Sequence, residues 1–563
     1  MTKAAWLVLG ALAACRANPS DAQILRWANE ATLPENVPVA HAVTGHRGPA
    51  VAAGTSGPAR FARLLLEEFD APRALGVAAF VDGFYREPAN EGYDAAFDRA
   101  LDELRSAGFG TDPRFALEVI EETPKHPAWT PRRGEIVLSG ASTAETLHRF
   151  DAPADRDRTL LPSGAPSADV EGPVVLEAAR VVPGSVLVTR DPLRSLDLDR
   201  VRAAGAVAVL SASLASFNVD PSGKDRHLDA IQYVSLRGTS PLPVAQISPR
   251  SYERIAALAR AGAARIALRA EVTFADRPLR TLIATIVGAT RPDEAVVIPA
   301  HLQEPGACDN ASGVAAMVEG ARASARLLAS GRLAAPARSL AFVFGDEHDQ
   351  SRTWLERSNR RAVAAISCDM AGESREATGA ILLLERAPDP ALTRMLPPDE
   401  RTAWAEGGAS DAKASEGGLS IVARCAVADV AAFCDHWETG EHPYEGGSDH
   451  DVFLAHGVPA ILLWHFTDFG YHTSLDRMEH VDAQEMARTG AAILSAAWAL
   501  ADPVPADLTR YLESLRIERG LRLSACAAAK DEALATQWRA HFDAARRWLR
   551  ALCLNVSLPE KTP

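Results

Sequence analysis

The chain is poor in the features that mark several large classes of protein. It has no basic run long enough to follow a phosphate backbone, and its balance is acidic, with 59 Lys and Arg against 73 Asp and Glu for a formal charge of −14. Nucleic acid is therefore not an expected partner. There is no G-x-S-x-G elbow and no H-E-x-x-H helix, so the usual signatures of serine hydrolases and of one large metalloprotease class are missing. Beyond the first fifteen residues no run of about 18 apolar residues occurs, and no permanent membrane span is expected there. Internal repeats and low-complexity segments are also absent. Cysteine is sparse: after Cys15 there are Cys308, Cys368, Cys425, Cys434, Cys526 and Cys553. Cys526 and Cys553 lie on two successive helical stretches that a disulfide would staple, but six cysteines allow many connectivities and the pairing stays open.

What is present describes a long, mostly folded chain. Its 563 residues are 47% hydrophobic and 23% charged, the composition of soluble globular proteins, and the length implies two to four domains. The first fifteen residues differ from the rest: Lys3 gives a short positive start, Ala4 to Ala14 is apolar, and Leu12-Ala13-Ala14-Cys15 closes the segment. This is the pattern of a secretion signal, too short to span a bilayer permanently. Its ending resembles the lipobox of bacterial lipoproteins. That resemblance implies a diacylglyceryl group on Cys15, a membrane partner through this anchor, and a place in the bacterial cell envelope facing the periplasm or the exterior.

Residues 16–135 are expected to form an N-terminal helical region, with the stretch Tyr93 to Gly108 showing apolar residues at helical spacing before a glycine stop. Short β-branched runs such as Val186-Leu187-Val188-Thr189 and Val207-Ala208-Val209-Leu210 then mark residues 136–277 as a small β-rich module. Its wording, VPGSVLVTRD, DRVRAAGAVAVL and LPVAQIS, resembles the protease-associated domain of secreted peptidases. From residue 278 to 502 buried strands alternate with helices, which predicts an α/β fold: a mostly parallel mixed sheet covered by helices. A helical tail is expected over 503–563.

In such sheets active sites gather at the carboxyl ends of the strands, and ligating residue types recur there. His301 follows AVVIPA, Asp309 precedes the helix opening Asn310-Ala311-Ser312-Gly313, Glu347-His348 follows SLAFVFGD, Asp369 follows AAISC, and His472 lies in Tyr471-His472-Thr473. A two-metal site needs carboxylates and imidazoles converging from separate segments, with one carboxylate shared. One such residue at a strand end is commonly a cap or a hydrogen-bonding group. Five in this order are not explained that way.

The segments PDEAVVIPAHLQEPGACDNASGVAAMVEGAR, FVFGDEH, ISCDMAG, GGSDHDVFLAHGVPAILL and YHTSLDRMEHVD resemble, in order, the motifs of the M28 zinc aminopeptidases. The resemblance covers about residues 280 to 500. It implies a zinc exopeptidase acting on peptide N-termini with two Zn2+ ions per chain. His301 and Asp369 would hold one ion, His348 and His472 the other, Asp309 would bridge them, and Glu347 would be the general base. Tyr471 would donate to the oxyanion.

Three departures from the family pattern stand out. Gln303 replaces the acidic residue usual two positions after the first histidine, leaving an amide to support the imidazole. Only eight positions separate His301 from Asp309, so the intervening loop is tight, and Pro305-Gly306 suits such a turn. The usual Glu-Glu pair reads Glu347-His348, a change that still offers zinc a ligand. A rival register with Asp346 as base and Glu347 as ligand stays open.

Around these, Asp449 and His450 resemble a family loop near the metals or serve loop hydrogen bonding, and Asp476 is expected to cap the turn after it. Cys308 and Cys368 are expected to be inert packing residues. Trp354, Tyr444, Trp464, Asp468 and Phe469 are candidates for the substrate pocket by their nearness to the ligands. Two alternatives to the aminopeptidase are a glutaminyl-cyclase-like acyl transfer on the same scaffold and a non-catalytic binding protein that kept the fold.

Overall fold

The computed structural model describes residues 47–49, 52–140, 144–152, 157–236, 238–407, 415 and 417–554; the signal-like segment with Cys15 lies outside them. Fifteen strands form two sheets. They are β1 (Phe115–Glu122), β2 (Ala128–Ser139), β3 (Ala144–Asp151), β4 (Ala168–Val175), β5 (Val186–Thr189), β6 (Ala208–Ser211), β7 (Val244–Gln246), β8 (Arg265–Ala275), β9 (Leu279–Ile286), β10 (Arg291–His301), β11 (Arg338–Gly345), β12 (Arg361–Cys368), β13 (Ile381–Glu385), β14 (Thr439–His442) and β15 (Ala460–Phe466).

The larger sheet has the order β1-β9-β11-β10-β12-β15-β13-β14. Its centre is parallel, β11 with β10, β10 with β12, and β12 with β15. The other sheet, β3-β2-β8-β4-β5-β6-β7, is antiparallel on one side and parallel through β4 to β7. Both are mixed sheets with helices packed on them, in keeping with the α/β expectation.

β1 and β9 are antiparallel partners, Phe115 opposite Ile286 and Glu122 opposite Leu279. The whole smaller sheet lies between them in the chain, so the β-rich module is an insertion between two paired strands of the larger sheet. Here the structure corrects the helical reading of residues 16–135, because β1 and the first half of β2 fall inside it. The reason is local: FALEVIEE forms an edge strand whose glutamates stay half-buried or exposed, so the alternation that identifies half-buried strands is weak. The helices read in that region do form, and Glu91–Ser106 is capped by Asn90, whose side chain accepts from the Tyr93 N–H.

One hydrophobic core joins the N-terminal helices, the covering helices Ala311–Ala329 and Ala483–Ala501, and the C-terminal pair Asp507–Ala528 and Glu532–Cys553. The inserted module has its own core around Ile136, Leu187, Val209 and Ile266. Burial of apolar area at roughly 25 cal/mol per Å² is the main stabilising term for both. Among the described residues no helix is long and apolar enough to cross a membrane, and the six cysteines from Cys308 to Cys553 are all unpaired. Cys526 and Cys553 are buried thiols with no disulfide between them.

Candidate metal centre

Since β11, β10, β12 and β15 run parallel side by side, their carboxyl ends share one edge of the sheet. His301 is the last residue of β10, Asp346 to His348 follow β11, Asp369 follows β12, and His472 lies in the loop after β15. Asp309 arrives at the same edge on the loop that opens the helix Ala311–Ala329. That loop is anchored by Asn310, whose Oδ1 accepts from the N–H of Gly313 (3.0 Å) and of Met370 (3.1 Å) and whose Nδ2 donates to the Cys368 carbonyl (3.0 Å).

The side chains meet in two groups that share Asp309: His301, Asp309 and Asp369 in one, and Glu304, Asp309 and His472 in the other. His301 Nε2 lies 3.1 Å from Asp369 Oδ1 and 3.4 Å from Asp309 Oδ1. His472 Nε2 lies 2.9 Å from Asp309 Oδ2 and 2.7 Å from Glu304 Oε2. Four residues picked out from the sequence, His301, Asp309, Asp369 and His472, thus come together. His348 does not join them. Its backbone φ of +63° turns the side chain away from the cluster, where it is 34% exposed, and its N–H is held by Asp449 Oδ1 at 3.0 Å.

Glu304 went unnoticed in the sequence. Its only signal there was a carboxylate inside the short loop joining two candidate ligands.

Supporting contacts fix the orientation of the clustered groups. His301 Nδ1 lies 3.2 Å from the Gln303 carbonyl, so the imidazole is held by backbone in place of the acidic side chain this sequence lacks. The Gln303 side chain turns instead to Glu347, whose N–H donates to Oε1 at 2.7 Å. Ser448 donates to Asp369 Oδ2 at 2.9 Å.

Asp476 does not cap the turn after it. Its carboxylate accepts from the N–H of Cys308 (2.6 Å) and of Asp309 (3.0 Å), clamping the backbone beside the shared carboxylate. Asp449 serves loop hydrogen bonding, accepting from Gln350 and Ser351 as well as from the His348 N–H. His450 pairs with Glu385 at 2.7 Å.

The inserted module reaches this edge too. The Tyr233 N–H and Gln232 Nε2 each donate to the His472 carbonyl at 2.7 Å. Asn218 Nδ2 donates to the carbonyls of Phe469 (2.9 Å) and Tyr471 (2.8 Å). The Tyr471 ring stacks on the His472 imidazole, centroids 3.9 Å apart.

Electrostatics follow from packing acids and imidazoles into a dry site. Burial alone would depress the His301 pKa, but Asp369, Glu347 and Asp309 around the ring outweigh it and hold it well above the ordinary value. Burial likewise opposes charge on His472, and Glu304 and Asp309 overcome it. Asp309 is pushed up to about 8, first by burial and then by Glu304 and Asp369. Burial raises Glu347 well above the usual carboxylate range, with His301 opposing and Glu304 and Asp369 reinforcing the rise. So many acids in a low-dielectric pocket favour a bound cation, which would relieve their mutual repulsion.

Beside the cluster a cleft of about 620 Å³ opens between the inserted module and the larger sheet, lined among others by Glu87, Trp129, Arg194, Asp346, Glu347 and His348. The pocket residues guessed from sequence proximity are elsewhere: Trp354, Tyr444, Trp464, Asp468 and Phe469 are buried and none lines this cleft.

Residues 281–497 match the family model of peptidase family M28. No curated protein matches the chain significantly. Among solved structures, the chain is similar to a peptidase M28 precursor from Shewanella amazonensis SB2B at 18% identity and a TM-score of 0.51, covering 79% of this chain and 97% of that one. It is also similar to a zinc aminopeptidase from Bacillus subtilis, at 16% identity and a TM-score of 0.50, over 77% and 96% of the two chains. At these identities the likeness carries the fold, and the family match covers the segment holding all five clustered residues. Over residues 281–497 the chain is similar to peptidase family M28.

Proposed function

We propose that the protein is a zinc-dependent aminopeptidase that removes residues from the N-termini of peptides outside the cytoplasm. The observation that carries this reading is the convergence of His301, Asp309, Asp369 and His472 from four segments into one cluster, the first three buried and His472 partly exposed, with Asp309 common to two groups of ligating atoms. Carboxylate and imidazole donors suit zinc better than magnesium, which favours oxygen and water. The spacing fits as well: ligand atoms about 2.0–2.1 Å from a tetrahedral ion lie roughly 3.3 Å apart, and His301 Nε2 stands 3.1 and 3.4 Å from its two carboxylate oxygens. His301 and Asp369 would hold one ion, His472 the other, and Asp309 both.

Two zinc ions, when bound, polarise the scissile carbonyl and make an attacking water acidic. Glu347 is the general base: it takes the proton and returns it to the leaving amine. Gln303 keeps Glu347 in place through the backbone N–H. The Tyr471 phenol, whose pKa burial and then Asp309 raise well above its ordinary value, stays protonated and donates to the developing oxyanion. The cleft that has Glu347 in its wall takes the peptide.

Aminopeptidase specificity is drawn from the family and from the Bacillus subtilis relative. It is tested with paired chromogenic amino-acyl substrates, one set with a free amine and one N-acetylated. Hydrolysis confined to the free-amine set is expected. Equal cleavage of acetylated substrates would contradict it, and ammonia release from N-terminal glutamine without peptide cleavage would favour a cyclase. For Cys15, lipid anchoring in the cell envelope predicts that the full chain partitions with membranes and that Cys15→Ser releases it. Wild-type chain found wholly in the soluble fraction would contradict the anchor.

A further inference from the structure

Of the residues between His301 and Asp309, Glu304 is the only carboxylate. Its backbone φ is +81°, in the left-handed region that strains a non-glycine residue and persists only where the surroundings impose it. The surroundings here are specific. The Glu304 N–H donates to the Arg86 carbonyl at 2.8 Å, and the Arg86 guanidinium donates to the Leu302 carbonyl at 2.8 Å and the Gly306 carbonyl at 2.7 Å. The loop is pinned on both sides of Glu304, and the pinning aims the carboxylate at His472.

Oε2 of Glu304 then lies 2.7 Å from Nε2 of His472 and still has no hydrogen-bond partner. Contact at that distance without hydrogen-bond geometry is what two donor atoms show when both lone pairs face a common point. Asp309 Oδ2, 2.9 Å from the same nitrogen, supplies a third atom, and the three lie within 4.8 Å of one another, close enough to share one ion. His348, which the family pattern puts in this role, faces the cleft instead and belongs to neither group.

The geometry points to Glu304 as a ligand of the second zinc ion, with Asp309 and His472, in place of His348. This rests on the two-zinc reading above. It carries a consequence for charge: three carboxylates around two dications leave one net positive charge, whereas a site built with His348 would leave two. The swap also frees His348 to meet substrate at the cleft wall.

The test is zinc per chain by mass spectrometry on the full-length protein after dialysis, for wild type, Glu304→Gly and His348→Ala. Glycine removes the carboxylate and suits φ +81°, so the zinc-free variant should melt no lower than the zinc-free wild type. About one zinc is expected in Glu304→Gly and about two in wild type and His348→Ala. If Glu304→Gly melts lower, Glu304→Gln decides: it keeps the side-chain length, and the second ion should bind at least about 10-fold more weakly in chelator competition.

Two zinc ions retained in Glu304→Gly, or unweakened binding in Glu304→Gln, would overturn the assignment. So would one zinc in His348→Ala with two in Glu304→Gly. Fewer than two in wild type would overturn the two-zinc reading, and this assignment with it.

Discussion

At the scale of single residues the account turns on Glu347, a carboxylate in the wall of the cleft that the proposed mechanism makes the proton acceptor. Glu347→Gln keeps the size and most of the hydrogen bonding but cannot accept a proton, so turnover should fall by about 10²- to 10⁴-fold with zinc content unchanged. Steady-state kinetics with metal analysis on the same sample checks this. If Glu347→Gln loses zinc while Asp346→Asn keeps it but abolishes turnover, the register with Asp346 as base is the right one. The residues legible in the sequence were those whose position follows from the strand they end: His301, Asp369 and the Asp346-Glu347 pair. Glu304 and His348 were not, because a backbone turn into positive φ decides where each side chain goes. At Glu304 that turn is held by Arg86, 216 residues away from Leu302 in the chain. No spacing rule reaches that far.

At the scale of elements, the strands and covering helices of the larger sheet were readable from alternation and apolar runs, whereas edge strand β1 was not, because its burial pattern comes from its pairing with β9. The loops have their own logic. The loop from His301 to Asp309 closes because residue 306 has no side chain: a Cβ there would meet Asp476 Oδ2 at 2.0 Å and the Asp309 carbonyl at 2.3 Å. One of these is backbone, and the other is the carboxylate that clamps the Cys308 and Asp309 amides, so neither yields cheaply. Gly306→Ala should therefore cost about 1–3 kcal/mol of stability and weaken zinc binding, seen as a lower melting temperature and faster loss of zinc to chelator. Unchanged values for both would show that the loop tolerates a side chain. The loop carrying His472 is held from outside the larger sheet by Asn218, Gln232 and Tyr233, which makes the inserted module a brace for a proposed zinc ligand as well as a wall of the cleft.

At the scale of the whole molecule, a parallel sheet centre brings four strand ends to one edge, a single core locks helices from both ends of the chain against that sheet, and an insertion between β1 and β9 roofs the cleft. Each feature serves the same small cluster. The measurement that tests it most directly is activity regained by the chelator-stripped protein as zinc is added back stepwise. Hydrolysis of a free-amine amino-acyl substrate should be lost on stripping and return fully only when about two zinc ions are bound per chain. Full activity in the stripped protein, or saturation at one ion, would contradict a two-zinc site bridged by Asp309.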